Sequence, residues 1–282
     1  MKRILIIITA CSLSLFAMAQ EEYVSAGKPS KGDTEYLPQA GDLGIGVDGT
    51  PFFEYFGNMF NGSGYNNLNL GQNTLYFRYY LTDNSAARLA ISILSTKMVD
   101  NEYVQNDAAV FVNPLSREQL IDRYTYIENG YGITGGYQMF RSYKRLNGFV
   151  GADLGYAFYK DKALYEYGNQ MSVANPTPST AFFGSTGVRP LERNYGATHT
   201  VSIGLFTGAE YYFLPKVCIG GEFGLMSGIN FIGQSYRTQE RMVISQHVEE
   251  QIATEPSEHA WFVATLFPYS YFGGSLYFLV NF

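Results

Sequence analysis

The chain has few of the residues that carry most enzymatic and metal chemistry. In 282 residues there are two cysteines, three histidines and one tryptophan. Cys11 lies in the N-terminal apolar segment, so Cys218 has no intrachain partner once that segment is removed. A disulfide framework is thereby excluded, and Cys218 reads as a small packing residue in mid-strand. His199, His247 and His259 form no compact cluster with cysteine, and no serine–histidine–acid spacing recurs. Metal ligation, cofactor binding and nucleophilic catalysis are therefore not expected. Charged residues make up only 16% and the net charge is −6, which argues against a nucleic-acid partner. After residue 20 no apolar run approaches the roughly 20 residues that a spanning helix needs.

What the chain does have is tyrosine, phenylalanine and glycine: 24, 21 and 30 of them. Abundant aromatics and glycines with few charges favour short-period strands and tight turns. Lys2 and Arg3, the apolar run Ile4 to Phe16 and the small-x-small site Ala17-Met18-Ala19 form a signal peptide over residues 1–19. Ile8-Thr9-Ala10-Cys11 also resembles a lipobox, but the apolar residues after Cys11 suit a continuing signal better. Residues 20–40 lack a periodic apolar face and read as a periplasmic N-terminal tail.

Eight segments then alternate with a period of two. In the first, Leu43, Ile45 and Val47 oppose Gly44, Gly46 and Asp48. In the second, Leu75, Phe77, Tyr79 and Leu81 oppose Tyr76, Arg78 and Tyr80. Leu89, Ile91 and Ile93 oppose Arg88, Ala90 and Ser92 in the third. The fourth (about 124–139) sets Ile127, Tyr131, Ile133, Tyr137 and Met139 against Glu128, Thr134, Gln138 and glycines. The fifth (148–159), sixth (198–213) and seventh (217–231) put Asp153, Glu210 and Glu222 on their small-residue faces. The eighth, about 269–282, alternates up to Phe282.

Connections between these segments alternate in length. Those at 83–85, 141–147 and 214–216 are short, and those at about 50–73, 97–123, 160–197 and 232–268 are long. Short periplasmic turns with long extracellular loops are the asymmetry of an outer-membrane barrel. The expected fold is all-β: a closed antiparallel transmembrane β-barrel of eight strands over residues 41–282, with a ten-stranded variant left open. Tyr79, Tyr137, Tyr211, Phe213 and Phe282 would form an interfacial aromatic girdle at the periplasmic side. Asp48, Arg78, Arg88, Glu128, Asp153, Glu210 and Glu222 would form a charge cluster in a lumen narrow enough to be filled by side chains.

These features resemble the small outer-membrane β-barrel family of OmpA/OmpX type. The resemblance covers about residues 41–282 and rests on architecture rather than a residue motif. It implies the fold, a bacterial outer-membrane location and a filled polar lumen. The expected partners are outer-membrane lipid, the barrel assembly machinery acting on the C-terminal strand, and a larger outer-membrane complex or an extracellular ligand. Phe52, Phe53, Tyr55 and Phe56, in an unusually aromatic first loop, are the candidate contact residues. The second and fourth loops are expected to extend the strands as hairpins, and the proline-bearing third loop to be solvent-exposed. A narrow porin-like channel is the alternative function.

Overall fold

Each alternating segment becomes a strand, and every strand pairs antiparallel with its neighbours. The computed structural model describes residues 35–49, 74–183, 187–265 and 274–282. Its strands are β1 (Leu43–Asp48), β2 (Thr74–Thr82), β3 (Ser85–Gln105), β4 (Gln119–Tyr143), β5 (Leu146–Glu166), β6 (Val188–Leu214), β7 (Val217–Ile232), β8 (Ser235–Val243), β9 (Gln246–Glu255), β10 (Glu258–Thr265) and β11 (Gly274–Asn281). One short helix, α1 (Asp107–Val112), lies between β3 and β4.

The ring closes through eight strand positions. β1 to β7 pair in chain order, and β11 pairs with both β7 and β1. The remaining three strands add no position to the ring. β8 follows β7 along the same edge of β6 in unbroken register, after a two-residue gap at Gly233 and Gln234. β9 and β10 run back down that hairpin, pairing with β8 and β7. The ten-stranded alternative is thus replaced by eight strands, some of which stand far above the others.

The fourth connection, at 232–268, is mostly strand, and its β8–β9 hairpin is the extension expected there. The third strand likewise runs to Gln105 and the fourth begins at Gln119. The upper parts of β3 and β4, and β8 and β9, mix polar and apolar residues on both faces. No continuous apolar face fixes their exact length in sequence, because both faces meet water or other polar chain. At the opposite end the strands are joined by the two-residue turns Asp83-Asn84, Lys144-Arg145 and Pro215-Lys216. The turn expected at 141–147 is shorter because Phe140 and Phe149 continue the ladder as direct partners, with ring centroids 6.4 Å apart.

The wall faces the way the alternation requires. Ile203 is 57% exposed and Phe223 50%, whereas Glu210 on the other face is fully buried. Leaving a Val, Leu, Ile or Phe side chain in water forgoes about 1.5–3 kcal/mol relative to burial. A continuous outer belt of such residues is stable only against hydrocarbon.

Candidate functional site: the lumen and the outer crown

Arginines on neighbouring strands organise the lower lumen. Arg78 on β2 and Arg88 on β3 are direct partners across the ladder and would repel if left alone. Each reaches an acid on the far wall instead, and Arg88 also reaches Asp153, two strands along its own rung. Arg78 donates to Glu210 on β6 at 2.5 Å. Glu210 also accepts from the Tyr277 hydroxyl at 2.5 Å and the Tyr212 hydroxyl at 3.0 Å. Arg88 forks between two carboxylates. Its Nε lies 2.9 Å from Asp153 Oδ1, and its terminal nitrogens lie 2.5 and 2.9 Å from Glu222.

Aromatic rings seal these ion pairs. The Arg88 guanidinium lies 3.5 Å from the centroid of Phe206, and that of Arg78 lies 5.4 Å from Phe140. Tyr80, Tyr212, Tyr277, Phe140, Phe149, Phe206 and Leu279 form one buried cluster around them. The lumen glycines make this filling possible. A side chain at Gly220 would run into the Tyr277 ring, and one at Gly136 into the Asp153 carboxylate.

The structure does not bring all seven expected lumen residues together. Arg78, Arg88, Asp153, Glu210 and Glu222 form the cluster. Glu128 sits higher, opposite Asp161, and accepts from the Tyr159 hydroxyl at 2.7 Å. Asp161 accepts from Tyr126 at 2.8 Å. Asp48 pairs across from Tyr277 at the end of β1.

The lower mouth is covered by the chain just before β1. Leu37 and Pro38 are buried, and Leu37 joins the aromatic cluster. Tyr36 lies under the Arg145 guanidinium at 3.7 Å, and its carbonyl accepts from Lys216 N–H at 3.0 Å. Lys216 also reaches Asp42 at 2.8 Å. Nothing in the polar composition of the tail marks this segment. A Leu-Pro pair just ahead of the first strand is the one available signal.

At the other end a crown rises above the belt, organised by acids that the sequence pattern does not single out. Asp122 on β4 is fully buried and accepts from Gly168 N–H, Thr180 Oγ1 and Ala181 N–H at 2.7–3.0 Å. Asp107, in the first turn of α1, accepts from Asn175 Nδ2 at 2.7 Å and Ser179 N–H at 2.8 Å. Burial pulls the Asp107 carboxyl upward. The hydrogen bonds from Ser179 and Asn175 and the Arg189 charge outweigh burial and hold it below its ordinary value. Arg189, 2% exposed, pairs with Glu240, donates to the Asn169 carbonyl at 2.6 Å and lies 4.1 Å from the Tyr167 ring. The third loop, expected to be exposed, is thus tied down: Asn169, Met171 and Pro178 are all buried. Phe182 packs against Tyr124 and Tyr165, which share a strand face with Glu128 and Asp161. The loop therefore folds against the inner side of the wall.

Tyr79, Tyr137, Tyr211, Phe213 and Phe282 all point outward and are 41–62% exposed. A second aromatic row, absent from the sequence reading, runs along one rung of partners on the outer wall: Tyr131, Phe158, His199, Phe231 and His259. Phe52, Phe53, Tyr55 and Phe56, residues 1–19 and the tail up to residue 34 lie outside the described residues.

A closed antiparallel ring that is apolar outside and ionic inside defines the class: an integral β-barrel of the bacterial outer membrane, with lipid around its wall. No protein-family model matches the chain, and no curated protein matches it. Among solved structures it is similar to a major outer membrane protein from Thermus thermophilus, at 10% identity and a TM-score of 0.39, covering 86% of this chain and 100% of that one. It is also similar to the outer membrane protein OprG from Pseudomonas aeruginosa, at 11% identity and a TM-score of 0.28, covering 88% and 98%. Both likenesses are loose, and the class rests on the wall itself.

Proposed function

We propose that this protein is a non-enzymatic, non-conducting outer-membrane barrel whose working part is the crown, which it holds above the membrane for contact with a partner or an extracellular ligand. One observation carries the reading. The lower lumen is filled by the Arg78–Glu210 and Arg88–Asp153–Glu222 ion pairs and sealed by tyrosine and phenylalanine rings, while the crown is built with equal care from polar residues. A wall that only spans the membrane has no need of that second structure. A chemical role finds no support in the histidines. His199 bonds the Tyr156 hydroxyl on the outer wall and His247 bonds Glu240, and neither bond brings a serine or cysteine nucleophile to the ring.

The channel reading has one observation in its favour: Glu128 and Asp161 face each other inside the wall and would attract cations to a vestibule. Ions would still have to pass the sealed layer and the Leu37 cover. Conductance in planar bilayers separates the two readings. The folded barrel is expected to give no steady openings, and openings that change with Glu128→Gln would establish the channel instead. Docking of the barrel as an accessory subunit, and handling of β11 by the barrel assembly machinery, are tested by crosslinking in cells followed by identification of the bound proteins.

A further inference from the structure

The crown holds two arginines that form no ion pair with a carboxylate among the described residues. Arg193 on β6 and Arg237 on β8 are direct partners across that ladder. Antiparallel partners point to the same face about 5 Å apart, so two guanidinium groups share one patch. Arg78, Arg88, Arg189 and Arg241 each hold a carboxylate. Among the described residues, neither Arg193 nor Arg237 does. Glu255 lines the same cleft but forms no ion pair with either. The Nε atoms of both arginines are buried and have no hydrogen-bond partner among the described residues. A cleft of about 290 Å³ opens beside them, with Tyr195, Tyr236, Ser235 and Glu255 along it. The Arg193 guanidinium lies 5.7 Å from the Phe183 ring and 5.9 Å from the Tyr165 ring, which limits its movement.

We propose that this cleft binds an oxyanion group, phosphate or sulfate, carried on a soluble molecule of about sugar size. Two guanidinium forks side by side match the paired oxygens of a tetrahedral anion. The anion would accept hydrogen bonds from the terminal nitrogens of both guanidinium groups and remove the repulsion between the arginines. Tyr195, 45% exposed along the cleft, offers an aromatic face to the carrier. That the ligand arrives from outside the cell rests on the reading of the crown given above; the site itself does not.

Titration calorimetry on the folded barrel in zwitterionic micelles tests the proposal with glucose 6-phosphate, glucose 6-sulfate, neutral glucose and inorganic phosphate. The charged sugars are expected to bind saturably and glucose not at all. Arg193→Gln and Arg237→Gln should each weaken binding about tenfold or more, in proportion to the loss of a charge-assisted pair. Arg237→Leu should also melt no lower than the parent in the absence of ligand, because it removes a repulsion. The proposal is overturned if no charged sugar binds saturably, or if the double variant binds as well as the parent. It also fails if only micelles doped with phosphatidic acid engage the pair, because the anion would then be a lipid headgroup. Labelling of Ser245→Cys on intact cells with a membrane-impermeant reagent reads the orientation separately. A failure there with binding intact would sink the outward-facing crown and leave the site.

Discussion

The lower lumen and the crown are both buried polar networks, yet they are built from different materials. In the lumen every charge comes from a strand, and its direction is set by parity. Arg78, Arg88, Asp153, Glu210 and Glu222 answer one another across the ring, side chain to side chain. In the crown the acids sit on a strand and a helix, but much of what they hold is backbone. Asp122 and Asp107 gather amide N–H groups from a loop that has no ladder of its own. Ion pairs fix the distance between rigid walls. Carboxylates bonded to amides fix the path of a flexible connection. The first device closes the lumen, and the second shapes a surface.

The comparison is broken most severely at Glu210. Glu210→Ala leaves Arg78 buried and uncompensated and takes the acceptor from Tyr212 and Tyr277, and the loss of such a partner costs about 3–5 kcal/mol. Urea unfolding in lipid vesicles should register a loss of that size. Combining Arg78→Met with Glu210→Leu should recover most of it. Glu222→Gln should cost less, because Arg88 keeps Asp153. Equal losses for Glu210→Ala and Glu222→Gln would show that the two arginines act as one unit.

Asp122→Ala comes next, and its effect should stay in the crown. It strands two amide N–H groups and a hydroxyl, each worth roughly 1–3 kcal/mol when buried and unmet. Limited proteolysis is expected to cut within residues 167–183 many times faster, while the unfolding midpoint of the wall barely moves. A matching fall in that midpoint would mean that crown and wall fold as one piece.

The same difference explains what can be read in advance. Parity alone places Arg78, Arg88, Asp153, Glu210 and Glu222 inside and Tyr79, Tyr137, Tyr211, Phe213 and Phe282 outside, because hydrocarbon on one face enforces the period of two. Parity does not fix height. Glu128 lies on the expected face but pairs with Tyr159 above the arginine layer. Above the membrane no solvent contrast exists, so β8, β9 and the upper parts of β3 and β4 carry no strict period: their charged residues mixed with Val, Ile and Tyr suggest hairpins but do not fix their ends or partners. Asp122 and Asp107 are legible only once the loop that supplies their amides is in place. Leu37 is hidden for a similar reason: a single apolar residue in a polar tail has no period.

Acidification separates the two regions more gently. The Asp107 carboxyl is depressed in the folded protein, so its contribution is complete above the unfolded value near pH 4 and is lost as pH falls through the lower folded value. Proteolysis within residues 167–183 should therefore accelerate below about pH 4 in the parent protein. Asp107→Asn should show the faster cutting already at neutral pH and a flatter response to acid. A response that is unchanged in Asp107→Asn would assign the acid sensitivity to another carboxylate.

The smallest effect concerns the tip of the crown, where the hairpin of β8 and β9 turns through Ile244 and Ser245. Both residues have positive φ, 46° and 63°, and Ile244 is 95% exposed. Two positive φ values in a two-residue hairpin favour Asn-Gly, and a β-branched residue there is strained. Ile244→Asn with Ser245→Gly should relieve that strain without touching a contact, and the gain expected is about 0.5–1 kcal/mol. Amide exchange along β8 and β9 should slow by severalfold while exchange in β2 and β11 stays as it was. If exchange slows throughout the ring instead, the crown hairpin stabilises the wall that carries it, and the division between a rigid lumen and a separately organised crown gives way.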